Sequence, residues 1–370
     1  MQRRIVASLL APSLLLLASV SASAQTPASS NAQRALQWLQ CSQQQANGQI
    51  GAGGNPIARS SEVAIGLAAA GQQASAMHAG AASLADYLKT ATSTDVGTNG
   101  ELLLARASVA DAGPTAVVAA QLQAAKGANG EYGGDIYSDA LAILGLRAAG
   151  EAVADDAVAF LKAQQKASGG WSADNADQYG EDSNTTALVL QALLSAGVAA
   201  DDAAITKGFT YLESVYANGA FGSAPGAPAD ANSDELAIQA ILAAHLQSDD
   251  AWNTRLEHAM AYLAGQQVSS GSDAGAIASP YSKLFATTDA PAAFLGRPLT
   301  ARGLSESAVS LLACPAAATA SPTPHPTPTT APVLAQTGAH VDGRPLLGGL
   351  ALIALALALV LRPRRRARTS

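Results

Sequence analysis

The stretch Phe160-Leu161-Lys-Ala-Gln-Gln165-Lys-Ala-Ser-Gly169-Gly170-Trp171 decides how the rest of the chain is read. It is an aromatic–Leu pair, a Gln after three residues, and a Gly-Gly-aromatic after three more. The same grammar recurs as Trp38-Leu39…Gln43…Gly48-Gln49-Ile50 and as Gln121-Leu122…Lys126…Gly130-Glu131-Tyr132. Two further copies are Tyr211-Leu212…Tyr216…Gly219-Ala220-Phe221 and the looser Tyr262-Leu263…Gln267…Gly275-Ala276-Ile277, and Tyr87-Leu88 begins a degenerate one. Self-similarity at this spacing is the signature of a repeat architecture.

A polar loop and an Ala/Leu run follow most copies: Ser61–Ala70, Glu101–Ala110, Asp139–Ala149, Thr185–Ala196 and Asp234–His245. Their apolar residues recur at helical spacing, as in Leu188, Leu190, Ala192 and Leu193. Ser60, Ser138, Ser183 and Ser233 stand before them as candidate N-caps, and Gly71, Gly150 and Gly197 after them as C-caps. Each unit therefore reads as helix, Gly-aromatic turn, helix. The abundance of Ala suits helices that approach closely in two concentric layers.

Six such pairs fill residues 31 to about 313. A helical repeat either ends in polar caps or closes on itself. Neither end carries an unusually polar cap, so the expectation is an all-α fold, a closed (α/α)6 toroid or barrel. The last unit stays open to two readings. The segment between Gly275 and Leu304 supplies the sixth partner helix, ending at Gly296, and Ser305–Ala313 is then an extra closing helix, or the order differs. In a closed ring the first and last units are neighbours, so the chain's two cysteines, Cys41 and Cys314, are expected to pair across the seam.

The repeat resembles the QW repeat of the prenyltransferase and squalene-cyclase α/α-toroid superfamily, over residues 31 to about 313. In that superfamily the Gln and the aromatic tie neighbouring helices together. The resemblance thus implies a structural role for Gln43, Gln165, Gln267, Trp171 and Phe221.

Catalytic motifs of that superfamily are absent. There is no DxDD acid motif, and eight of the sixteen aromatics already belong to the repeat. The pairs Asp155-Asp156, Asp201-Asp202 and Asp249-Asp250 recur before the first helix of a unit, where capping and the helix dipole explain them without metal. His78, His245, His258, His325 and His340 are scattered, and neither Cys has zinc-ligand spacing, so no metal site is expected. Cys41-Ser42-Gln43-Gln44 lacks the Gly-Glu of a CGEQ thioester.

The most ligand-like segment runs from Trp171 through Asp174, Asp177, Tyr179 and Glu181 to Asp182, with four carboxylates before a helix N-terminus. Loops of all units emerge at one end of a closed ring, which adds Tyr132, Asp135, Tyr137, Asp230 and Asn232 to the same rim. Oxygen donors of this kind suit Ca²⁺, although the spacing is not that of an EF-hand. Otherwise no cofactor is implied.

The two ends read as addresses. Arg3 and Arg4, an apolar stretch from Ile5 to Val20 and Ala22-Ser23-Ala24 make residues 1–24 a secretory signal peptide. The fold-forming part is residues 25–315, and residues 316–333 are a Pro/Thr-rich stalk of polyproline character. Then come Leu334-Ala335-Gln336-Thr337-Gly338, an apolar run over 346–361 and an Arg tail, together residues 334–370. This arrangement resembles a cell-wall sorting signal of the LPxTG type, with Ala335 in place of Pro. It implies cleavage between Thr337 and Gly338 by a sortase and attachment to peptidoglycan. The run of 16 residues reaches roughly 24 Å as a helix, so the alternative is a plain membrane anchor.

Residues 25–337 carry 13 Lys/Arg against 27 Asp/Glu, which disfavours nucleic acid as a partner. The expectation from all this is an extracellular, wall-anchored toroid. As a function it reads as a non-catalytic binding or display module whose acidic mouth takes a small molecule or surface glycan. The alternatives are an enzyme of the toroid superfamily, an (α/α)6 carbohydrate-active enzyme using paired carboxylates of the 174–182 loop, and a corrinoid-type carrier.

Overall fold

The computed structural model describes residues 26–315 apart from 176, 177, 179 and 307. The segments read as signal peptide and stalk, the LAQTG stretch, the apolar run and the Arg tail, with Asp177 and Tyr179, lie outside the described residues.

The local rule that starts the inner helices is an Asp followed, three residues on, by Ser or Thr. Asp95, Asp135, Asp182 and Asp230 each accept the backbone N–H of that third residue. The hydroxyl of the same residue (Thr98, Ser138, Thr185, Ser233) donates to the same carboxylate at 2.7–2.8 Å. One of the four orphan N-terminal N–H groups of the helix is met this way, and the hydroxyl bond holds the carboxylate in place, so the doubly bonded cap fixes where the helix begins. Asn55 and Ser282 cap the other two inner helices.

The inner helices are α2 (Pro56–Ala69), α4 (Val96–Ser108), α6 (Ile136–Ala148), α8 (Ser183–Ser195), α10 (Ala231–Ala243) and α12 (Lys283–Phe294). They begin up to a turn and a half before the Ala/Leu periodicity predicts. Ser60, Ser138, Ser183 and Ser233 therefore sit inside helices rather than cap them. The first turn faces the polar rim, where apolar spacing has not yet begun. Gly71, Gly150 and Gly197 follow α2, α6 and α8 with positive φ, the left-handed position that ends a helix.

The outer helices are α1 (Pro27–Trp38), α3 (Leu84–Thr90), α5 (Ala116–Ala125), α7 (Asp155–Ala163), α9 (Ala203–Val215) and α11 (Asp250–Gly265). Each inner helix packs on the next, α2 on α4 and so on round to α12, which packs back on α2. The ring is closed: an all-α toroid of six inner and six outer helices. At α4 and α6 the backbones nearly touch, because a Cβ on Gly100 would lie 2.5 Å from the Leu141 carbonyl carbon.

Why the repeat grammar builds this ring is visible in its hydrogen bonds. The N–H of the residue at the aromatic position is accepted by a side chain near the start of the same unit's inner helix: Ile50 by Ser60, Tyr132 by Asp139, Trp171 by Thr186, Phe221 by Asp234 and Ile277 by Thr287. The Gln side chain bridges units. Gln165 donates to Gly169 O and Ala204 O, both at 2.8 Å, and Gln267 to Gly275 O and Asn31 O. In the first unit this work falls to Gln44, not Gln43, through Gly48 O and Met77 O. A π turn at Leu39–Gln43 adds one residue there and shifts the register. Trp171 and Phe221 are fully buried, and the Trp171 indole N–H donates to Leu161 O at 2.7 Å.

The seam between last and first units uses the same devices. Gly275, at φ +97°, lies so close to α1 that a Cβ would be 2.3 Å from Arg34 O. Only glycine combines that φ with that approach.

Past α12 the chain does not form the additional helix considered for Ser305–Ala313. It runs as an extended strap across the end of the ring where the inner helices finish. Leu299 N–H donates to Gln191 Oε1 on α8 at 2.9 Å. Ser305 and Val309 N–H then donate to Ala68 O and Ala70 O at the end of α2. Gln33 and Gln37 of α1 hold Ser310 O and Ala313 O, and Cys314 is disulfide-bonded to Cys41 with a Cα–Cα distance of 5.4 Å. The strap thus starts at α12, reaches the far side of the ring and returns.

Candidate functional site

The residues expected at the rim are mostly committed to structure. Asp135, Asp182 and Asp230 are N-caps, and their carboxylates are saturated by the bonds described above. Burial raises Asp135 and Asp182 from the ordinary aspartate range, while the cap bonds pull them back. Tyr132 and Trp171 are buried wedges between layers. The loops do meet, since Asp135 and Asp174 form a β-bridge and Ile136 N–H donates to Ala173 O. Asp174 turns its carboxylate onto the Gln178 N–H of its own loop, and Glu181 accepts from Ser168. Asn232 accepts from Asn184 at 3.0 Å.

No group of three or more His, Cys, Asp or Glu among the described residues is arranged to hold a metal ion, so the Ca²⁺ reading finds no ligand set there. The doubled acids divide. Asp202 and Asp249 are caps, whereas Asp156 pairs with Lys126 at 2.6 Å.

A second concentration of ionisable side chains lies on the axis. All six inner helices bound a cavity of about 30 Å³, room for about two waters. Glu62 of α2, Glu101 of α4, Tyr137 of α6, Gln239 of α10 and Asp289 of α12 line it, with an aliphatic remainder that includes Leu104, Leu141, Leu188 and the strap's Leu299. Glu235 lies one turn before Gln239 and is fully buried. Of the residues expected from sequence, Tyr137 alone reaches this place.

Desolvation dominates the electrostatics of the centre. Burial pushes the carboxyls of Glu101, Glu235 and Asp289 well above the usual range, and the neighbouring acids push the same way. Glu62 is raised less firmly. Thr288 Oγ1 donates to its Oε2 at 2.6 Å, and the Arg59 charge also favours its ionised form. Burial among these acids raises the Tyr137 phenol well above the ordinary tyrosine value. All four carboxyls are raised by burial, and Glu62 alone has a hydrogen bond and a positive charge opposing that rise, a difference of the kind that separates acid and base roles. Sequence did carry a faint signal: Glu62, Glu101, Glu235 and Asp289 each stand five to seven residues after a helix cap, where the polar first turns give way to apolar residues.

No sequence-family profile matches the chain, and no curated protein matches it. Solved structures do. The type II terpene cyclase MstE from Scytonema, holding its substrate geranylgeranyl dihydroxybenzoate, matches with a TM-score of 0.56 at 14% identity, over 73% of this chain and 97% of that one. A ligand-free form of that enzyme matches with 0.56 at 15% identity, over 73% and 96%. A form holding the product merosterolic acid A matches with 0.52 at 15%, over 73% and 96%.

At this identity the likeness is one of fold, a terpene-cyclase-like α/α toroid. The expectation of a non-catalytic display module is nevertheless contradicted, because the solved structures that share the architecture are catalytic enzymes. The physical reason the expectation failed is that it looked for chemistry in the rim, where the carboxylates are caps. Among the described residues no helix is long and apolar enough to cross a membrane, and the apolar run 346–361 lies outside them.

Proposed function

We propose that the protein is an enzyme whose ring centre performs proton transfer on an apolar, unsaturated substrate of isoprenoid type. The observation that carries this is the convergence of Glu62, Glu101 and Asp289, from three different inner helices, on a space walled mostly by aliphatic side chains. Burial raises the Glu101 and Asp289 carboxyls, which favours the protonated form that a proton donor needs. Burial alone makes a poor acid, because the carboxylate left behind is unsolvated. Here a neighbouring protonated carboxyl can donate to it, replacing the water that is missing. Asp289 and Glu101 take the donor role, and Glu62, held lower by Thr288 and Arg59, the accepting role.

A cavity this small admits an isoprenoid only if a wall moves. Leu299 borders both the central cavity and a second space of about 40 Å³ under the strap, so its displacement joins the two. A corrinoid is far larger than either. The fold of the terpene cyclases supports the substrate class, while the scarcity of aromatics at the centre argues for simple protonation or isomerisation rather than a long carbocation cascade. The test is incubation with polyprenyl substrates in D2O. Solvent deuterium should enter a carbon position of the product with wild type and be lost in E101Q and D289N variants that melt normally. If no polyprenyl compound acquires carbon-bound deuterium, the proposal fails.

For location, we propose secretion and attachment to the cell wall through Leu334, Ala335, Gln336, Thr337 and Gly338. Support comes from the order of stalk, pentapeptide, apolar run and Arg tail in the sequence. Changing Thr337 should release the protein from the wall fraction, and unchanged attachment would refute sortase processing.

A further inference from the structure

The polar groups of α10 have no counterpart in proton transfer as described. Gln239 is fully buried, lines the cavity, and has neither its amide N nor its amide O hydrogen-bonded. Glu235, at i−4 on the same face, is fully buried with both carboxyl oxygens unpartnered. Native proteins rarely leave such atoms unmet, and four on adjacent turns are a demand for a partner. Together they offer an amide acceptor, two amide donors and a carboxyl.

We propose that Gln239 and Glu235 form a subsite for a neutral hydroxyl, so that the substrate is a free isoprenoid alcohol. The inference rests on the reading of the centre as the substrate site. A hydroxyl both donates and accepts, which is what the amide and the carboxyl require. A hydrocarbon would leave the amide unpaired. An anionic head such as a diphosphate would meet Glu62, Glu101, Asp289 and Tyr137 with no Lys or Arg lining the cavity to balance it. Arg59, whose charge is felt at Glu62, is stacked on the Phe285 ring, 5.5 Å from its centroid. Burial pushes the Glu235 carboxyl upward, toward the neutral form that suits a neutral guest.

The test uses the purified full-length protein and three C15 probes with one carbon skeleton: farnesol, farnesyl diphosphate and farnesene. Direct binding by calorimetry should rank farnesol at least about tenfold tighter than either of the others. Gln239→Leu should weaken farnesol by roughly tenfold and leave farnesene unaffected, while E235Q, which keeps a neutral hydrogen-bonding group, should retain most of the affinity. A thermal melt checks that both variants fold. Equal binding of the three probes, tighter binding of the diphosphate, or a Gln239→Leu variant that binds farnesol normally each overturns the subsite. If deuterium exchange persists alongside any of these, the proton-transfer reading survives and the hydroxyl subsite does not. If no probe binds and no exchange occurs, both fall.

Discussion

Thr288 Oγ1 donates to Glu62 Oε2 at 2.6 Å, across 226 residues of sequence, from the last inner helix to the first. The acid centre therefore exists only in the closed ring. Thr288 Oγ1 also lies 2.8 Å from Phe285 O, so its one proton is shared between the two acceptors. Removing it leaves Glu62 with burial as its main influence. Thr288→Val should raise the Glu62 pKa further and cost about 1–2 kcal/mol of stability. Carboxyl-carbon NMR titration of Glu62 reads the first effect and chemical denaturation the second.

Stability should fall as pH rises across the mildly acidic range. Asp139 is raised from 3.8 to about 6 by burial, against the opposing N–H bonds of Tyr132 and Gly133. Glu101, Glu235, Asp234 and Asp289 are raised further in the same direction. A group whose folded pKa exceeds its unfolded value binds more protons when folded. Its stabilisation is complete below the unfolded pKa, near 4, and is lost as pH climbs through the folded one. Tm should therefore be higher at pH 5 than at pH 8, and E101Q with D289N should flatten the difference. A Tm that rises from pH 5 to pH 8 in the wild type would count against protonated acids in the folded state.

Opening the disulfide should loosen the strap before it unfolds the ring. Cys41 and Cys314 are 273 residues apart, and closing a loop of that size is worth on the order of 5 kcal/mol in the chain-entropy model. Reduction, or the paired Cys→Ser variant, should lower Tm by roughly 10 °C. Hydrogen exchange should rise first at Ser305 and Val309, whose N–H groups dock on α2. Uniform exchange across the ring would show that the strap is not a separable element.

Leu299→Ala removes the partition between the central cavity and the space beneath the strap. The cost should be about 2–3 kcal/mol, with faster association of farnesol in stopped-flow mixing. Unchanged association kinetics would place the access route elsewhere.

What sequence revealed, and what it hid, follows from which residues make demands on the backbone. Phe160 to Trp171 was legible because the Gly, the Gln and the aromatic each answer a local requirement, and ring closure was legible in the lack of polar caps at either end, whereas the Gly275–Arg34 approach at the seam was not. The caps were misplaced, by five residues at Ser60, by one at Ser183 and by three at the other two. Ser138 and Ser233 look like N-caps, yet the oxygens that bind the helix N–H groups belong to Asp135 and Asp230, which had been read as ligand residues. Gln43 was preferred to Gln44 because a π turn leaves no mark in residue spacing. The acid centre was hidden for a different reason. Glu62 or Glu101 within an Ala/Leu helix reads as a solvated residue, and only ring closure turns that face onto the axis, where burial raises the carboxyl.

The most direct test of the account is infrared difference spectroscopy of the carboxyl carbonyl stretch at pH 7, on protein labelled with 13C at Glu and Asp carboxyls. The account predicts a protonated-carboxyl band that weakens in E101Q and again in D289N. A spectrum in which every carboxyl of the wild-type protein is ionised at pH 7 would contradict it.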